Sequence, residues 1–280
     1  MNKLIIITNF LYKLLLMNTI IVIIFTLIIL FILIILFIFT NNFLKKKDNE
    51  NFNNKIVFLK GFELYKILKE DNDNYYKTFF DNDFYSRKIK NINEYIELIK
   101  SSPTDFNDYE KLKLTKCIKE ADVFFENIFF EWFDGKKSIT IPWILGIVKN
   151  KLYENGLPHT RNNIIIISKD NINDFTELKL TKTLIHEKVH IYQKMYKNEV
   201  ITYLKKNNFI KYKKRYNLDN IRSNPDLDNW IYKDSNNNIL KAVYNNNPSS
   251  IEDIKYSPIN NQNYEHPFEK MAIEIEKLKK

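Results

Sequence analysis

Cysteine occurs once in this chain, as Cys117, which excludes an intrachain disulfide framework and any cysteine-built zinc knuckle, since both need at least two thiols. Reduced surroundings are therefore permitted. Glycine is almost as scarce, with four residues in 280, against an abundance of Asn, Ile and Lys. That bias is the mark of AT-rich coding, so the Asn runs carry little weight as loop signals. No usable Asn-x-Ser/Thr acceptor exists; the nearest, Asn247-Pro248-Ser249, is disqualified by its proline. No internal repeat is found. Residues 1–44 carry no acidic residue and only two basic ones, Lys3 and Lys13.

What remains is the composition of a globular chain, 45% hydrophobic and 28% charged, not that of a disordered or fibrous one. Its length allows one or two globular units, with one folded domain as the default. The net charge of +9 is spread unevenly: beyond residue 44, 41 basic residues face 34 acidic ones, leaving about +7. Such a balance favours anionic partners such as lipid headgroups, nucleic acid or acidic polypeptides.

From Thr19 to Thr40 the sequence runs without a charge. As a helix rising about 1.5 Å per residue, it is long enough to cross a bilayer core of about 30 Å. It exceeds the apolar core of a signal peptide, and no small-residue cleavage site follows, so the expectation is an uncleaved, single-pass transmembrane helix. Residues 1–18 form a short segment before it. Lys45, Lys46 and Lys47 follow it directly and, with the missing glycosylation acceptors and the lone cysteine, point to a cytosolic C-terminal domain.

Residues 41–56 read as a polar tether, and residues 57–280 as the folded domain, with a helical part at 57–139 and a metal-binding part at 140–280. In the first part apolar residues recur at helical spacing: Phe62, Tyr65 and Leu68, then Ile92, Tyr95, Ile96 and Ile99. A longer helical stretch from Phe106 to Phe133 is expected to open at Ser102-Pro103-Thr104-Asp105 and to stop at Asp134-Gly135. Its Phe124, Phe125, Phe129, Phe130 and Phe133 are assigned to the core. A shorter helix is expected from Pro142 to Glu154, stopping at Gly156. Asn163–Ser168 (NIIIIS) reads as a strand and Glu177–Lys197 as a strong helix. Trp230–Tyr232 and Ile239–Tyr244 flank a polar turn and read as a hairpin. Pro267–Lys280 reads as a helix with proline in its first turn. The basic run Lys205–Tyr216 interleaves aromatic residues; it is read as a solvated helix face burying Phe209 and Ile210 rather than as a nucleic-acid or lipid contact. The expected fold class is α+β, mostly helical with a small sheet.

The chemistry concentrates in Thr181–Tyr196, which contains His186-Glu187-Lys188-Val189-His190. Residues four apart share a helix face, so the two imidazoles can converge on one ion. Two neutral nitrogens suit zinc, and Glu187, turned about 100° around the helix axis, is placed to take a proton from water that the metal acidifies. With four His in the chain, two in one HExxH string is a poor match to chance. Lys188 is expected to face solvent.

At these residues the sequence resembles the zincin metallopeptidases. No His follows His190 at the spacing of metzincins, so the gluzincin arrangement, with a downstream Glu as third ligand, is the nearer likeness. The segment Tyr264-Glu265-His266-Pro267-Phe268-Glu269-Lys270-Met271-Ala272 resembles the Glu-bearing helix of that group. On that resemblance Glu269 is the expected third ligand, with Glu265, His266 and Glu274 as alternatives, and Ala272 allows close helix contact. The resemblance also implies a strand bordering the cleft that pairs with extended substrate, which would bring His159 and Thr160 near it. His159, Tyr264 and His266 are candidate substrate or oxyanion contacts. The implied activity is that of a membrane-anchored zinc peptidase, with one Zn2+ and a peptide or protein substrate. The competing readings are a catalytically inactive, zinc-stabilised scaffold or peptide-binding module, and a membrane-tethered nucleic-acid binder.

Overall fold

The computed structural model describes residues 30–31, 33–37, 56–218, 220–258 and 264–280. The chain divides into two compact units, Met1–Asn54 and Lys55–Lys280. In the first, residues 30–31 and 33–37 are helical, with exposed side chains. The rest of the expected span Thr19–Thr40, and of the tether up to residue 55, lies outside the described residues. Among those described, no helix is long and apolar enough to cross a membrane. Ile56, assigned to the tether, opens the first strand.

The second unit is α+β. In chain order it comprises β1 (Ile56–Phe58), α1 (Gly61–Glu70), α2 (Asp81–Ser86), α3 (Ile92–Ser101), β2 (Pro103–Thr104), α4 (Asp108–Glu126), β3 (Phe129–Phe130) and β4 (Phe133–Asp134). There follow α5 (Gly135–Thr140), β5 (Trp143–Val148), β6 (His159–Arg161), β7 (Ile164–Ser168), α6 (Lys169–Asp174), α7 (Glu177–Met195) and α8 (Lys197–Lys206). The chain closes with β8 (Ile210–Lys214), β9 (Trp230–Lys233), β10 (Ile239–Tyr244), β11 (Ile254–Ser257) and α9 (Pro267–Glu276).

The main sheet has the order β1-β5-β7-β6, with β2 also paired to β5. Strands β1, β5 and β7 run parallel, and β6 returns antiparallel at one edge. A second, antiparallel sheet has the order β11-β10-β9-β8. Strand content therefore exceeds the expected small sheet. The expected helix over Pro142–Glu154 is instead β5. Its run WILGIV has no helical period, and as a central strand of a parallel sheet it is buried on both faces, which is how such runs read. Gly146 lets α1 close onto it: an added Cβ there would stand 2.7 Å from Leu64 Cδ1.

The start of α4 also differs from expectation. Asn107 caps it in a capping box with Glu110, while Pro103 and Thr104 pair with Val148 and Ile147. Gly135 ends nothing; it opens α5 behind the Asp134 cap, where a Cβ would meet Phe125 O at 1.9 Å. Of the five phenylalanines assigned to the core, Phe125 and Phe133 are fully buried, whereas Phe129 is 74% exposed. The basic run is an edge strand, not a helix face: Phe209 is buried, but Ile210 is exposed at the start of β8.

One core joins Leu64, Leu68, Tyr95 and Ile99 of α1 and α3 to Val148, Ile164 and Ile166 of the sheet. Beneath it, α7 packs against both α4 and α9. Beside this core Glu154, buried with φ +48°, projects its carboxylate into a closed polar cluster. Arg87 donates to it at 2.6 and 3.0 Å, Tyr95 OH at 2.6 Å and Tyr75 OH at 2.9 Å. Burial raises its pKa, but Arg87 outweighs burial and holds it near about 2, against 4.5 unperturbed. A depressed carboxylate pKa stabilises the fold above the unfolded value and loses that contribution as pH falls from about 4.5 towards about 2. The shift corresponds to about 3 kcal/mol. Urea titrations at pH 7 and pH 3 should show wild type losing about 2 kcal/mol more stability on acidification than Glu154→Gln, the remainder being lost only as pH falls further, through the folded pKa. Equal losses would contradict the assignment.

Candidate metal centre

The helix that carries the site is set by its own sequence. Thr176 caps α7 by accepting from Lys179 N, and Leu180, Leu184, Ile185 and Val189 bury its inner side. Lys188 does not face solvent. It is fully buried, donating from Nζ to Ile141 O at 2.6 Å and Pro142 O at 3.3 Å, and it stands 4.1 Å from the Trp143 ring centroid. The ammonium thus pins α7 to the start of β5, satisfying carbonyls ahead of the strand.

Glu269 lies in the first turn of α9, which packs across α7, with His266 as N-cap and Pro267 next. Close helix contact is permitted by Ala272, which is fully buried. The crossing brings together His186, His190 and Glu269. The two Nε2 atoms are 3.1 Å apart, and Glu269 Oε2 lies 3.4 Å from one and 3.8 Å from the other. Zinc bonds of about 2.0–2.1 Å at tetrahedral angles put ligand atoms about 3.3 Å apart, so this triangle has the size of three zinc ligands.

Partners behind the triangle decide what its atoms present. Gln193 Nε2 donates to Phe268 O at 2.9 Å, which orients its amide and leaves Oε1 to accept from His190 Nδ1 at 3.0 Å. Glu276 Oε2 accepts from His186 Nδ1 at 3.1 Å. Both imidazoles, when neutral, therefore carry their proton on Nδ1 and aim the Nε2 lone pair at the other and at a carboxylate oxygen. Three electron-rich atoms at such separation require a cation among them, a proton or a metal ion. Burial lowers the pKa of His186, but Glu269 and Glu276 overcome it and leave the pKa well above the usual histidine range. Burial holds His190 below that range. Glu269 is itself steadied by Asn224, which donates to its Oε1 at 2.9 Å, and its pKa is depressed despite burial by the two imidazoles.

Glu187 lines a cavity of about 160 Å3 with His159, His186, Asn224, Asp226 and Glu269. Among the described residues its buried Oε2 has no hydrogen-bond partner, which is costly unless a ligand or water meets it. Burial, and then the Asp226 carboxylate, push its pKa well above the carboxylate range. His159 faces the same cavity. Its Nδ1 lies 2.9 Å from Leu157 O, while the buried Nε2 has no partner among the described residues, and burial keeps the ring's pKa low. Beside this cavity His159 Nε2 is thus left as an acceptor, and Glu187 as a carboxyl group whose proton affinity burial has raised.

The other expected positions are employed elsewhere. His266 accepts from Phe268 N at 3.1 Å as the cap of α9, and its Nε2 lies 3.1 Å from Asp228 Oδ1. Glu265 pairs with Arg222 and accepts from Asn224 at 3.0 Å; Glu274 pairs with Lys270 and accepts from Tyr203 OH at 2.9 Å. Tyr264 does not line the cavity. Strand β6 does border the site, but its edge is closed. Thr160 N donates to Asp226 Oδ1 at 2.6 Å, and Thr160 O accepts from Lys194 Nζ at 3.1 Å. An extended peptide cannot pair there while those contacts stand.

Gln193, Glu276, Asn224 and Asp226 escaped the sequence reading. Gln193, three residues after His190, and Glu276, seven after Glu269, share a helix face with a ligand and were detectable by spacing. Asn224 and Asp226 lie in an irregular segment with no period to expose them. No protein-family model matches the chain, and neither the curated proteins nor the solved structures yield a match.

Proposed function

We propose that this chain is a zinc-dependent peptidase of gluzincin type, with His186, His190 and Glu269 as metal ligands and Glu187 as general base. The observation that carries the reading is the pairing of a zinc-sized ligand triangle with a neighbouring carboxylate whose inner oxygen has no partner among the described residues. A structural site needs only the first; the second is what hydrolysis adds. Bound zinc would supply Lewis acidity, acidifying water and polarising a carbonyl.

The chain's own residues supply the rest. Gln193 and Glu276 hold the imidazoles in the tautomer that leaves Nε2 free, which typically matters tenfold or more for metal affinity. Glu187, raised in proton affinity by burial, accepts a proton during attack and returns it to the leaving amine. His159 Nε2 offers a further acceptor for an N–H of the substrate. The charge-free run Thr19–Thr40 supports a single membrane anchor for this domain, and Lys45–Lys47 a cytosolic placement.

Cleavage of a peptide library by the full-length protein, before and after chelation, tests the reading. Chelation should abolish cleavage and added zinc should restore it. A zinc-loaded protein that cuts no peptide would overturn the peptidase and leave a structural metal site.

A further inference from the structure

A second cavity, about 750 Å3, lies across segment 223–226 from the proposed metal ligands. That volume falls in the range of ligand pockets, about 300–1,000 Å3. Segment 223–226 and Tyr75 contribute to both cavities. Apolar side chains of two helices line it: Ile191 and Met195 near the end of α7, and Val200, Ile201 and Leu204 of α8. The face of β8 and β9 contributes Lys211 opposite Tyr232 and Lys214 opposite Trp230. Lys197, at the start of α8, adds a further cation.

The charges in this cavity do not balance. Its three carboxylates, Asp73, Asp226 and Asp228, accept hydrogen bonds from Arg161, Thr160 and Tyr232 at 2.6, 2.6 and 2.8 Å, and they face five cations, Lys194, Lys197, Lys211, Lys214 and Arg215. Lys211 and Lys214 stand 5.1 and 4.0 Å from the Trp230 ring centroid. Among the described residues, neither they nor Lys197 forms an ion pair with a carboxylate. Positive charge thus stands on both elements that border the apolar surface, α8 and β8. A ligand that matches carries anionic groups on either side of an apolar one. A polypeptide segment has that pattern, whereas a lipid presents one headgroup. Nucleic acid would need an open aromatic face for stacking, and Lys214 already covers Trp230.

We propose that this cavity binds an extended polypeptide segment in which an apolar side chain is flanked by acidic residues. The proposal goes beyond the peptidase reading and concerns binding alone, so it stands or falls without any hydrolysis. If the peptidase reading also holds, the same segment defines the substrate class, because the cavity shares the wall of segment 223–226 with the metal centre.

Fluorescence anisotropy with the full-length chain carrying Glu187→Gln, which spares the probe from cleavage, provides the test. The probe is a labelled peptide with two leucines between pairs of glutamates. It should bind at least about tenfold more tightly than the same peptide with lysine for glutamate, and than one with serine for leucine. Charge reversal in K197E and in K211E should each weaken binding of the acidic probe several-fold and narrow its advantage over the basic one. Both positions are exposed and sit on different elements, so circular dichroism identifies a misfolded variant and the other remains readable. Equal affinity for acidic and basic peptides, or no change in either folded variant, would overturn the proposal. Displacement of the probe by phosphatidylserine vesicles or by an oligonucleotide would overturn it in favour of those ligands.

Discussion

Glu187→Gln should keep its zinc and its fold while losing peptide hydrolysis by at least about a hundredfold, the lower end of what a positioned acid–base group contributes. The substitution preserves size and polarity, and Glu187 is not among the three atoms that form the ligand triangle, so metal affinity has no reason to collapse. What disappears is proton exchange. The buried Oε2 of this carboxylate has no hydrogen-bond partner among the described residues, and burial with the nearby Asp226 raises the group's affinity for a proton. An amide cannot accept that proton at neutral pH, however well it fits. Turnover of a cleavable library peptide by wild type and variant, with zinc measured on the same samples, makes the comparison. Equal turnover would remove Glu187 as the base. A variant that loses zinc as well would show that the carboxylate also helps to hold the site.

The parts of this fold that were legible in the sequence are those whose signals are local. Scarce histidine made HEKVH conspicuous, and the periodic apolar residues around it place it on α7. The β-branched run of β7, the Asn-rich turn between β9 and β10, and Pro267 at the start of α9 were equally readable. Glu269 required the resemblance, since nothing in the spacing of a first-turn glutamate says that α9 crosses α7.

Where the reading failed, distant partners decide. The segment WILGIV has strand propensity and a flanking proline and glycine that mimic helix signals; parallel neighbours on both sides settle it as a strand. Lys188 looked like a surface residue because a lone lysine is expensive to bury, yet two carbonyls and the Trp143 ring offset the cost. The edge of β6 is closed by Asp226, 66 residues away, a relation no local pattern encodes.

The second large effect concerns the metal. His186→Ala, His190→Ala and Glu269→Ala each remove one of three protein ligands, and two are too few to hold the ion stoichiometrically. Loss of either imidazole also leaves its helper, Glu276 or Gln193, without the proton it accepts. Gln193→Ala should be milder: the ligands remain, and zinc affinity should fall by about 10–100-fold, as for other residues that orient a ligating histidine. The decisive measurement is elemental analysis of the purified full-length protein beside these variants. The account predicts close to one zinc per chain in wild type and essentially none in His186→Ala, His190→Ala or Glu269→Ala. A wild type without metal, or full zinc occupancy in both histidine variants, would contradict it.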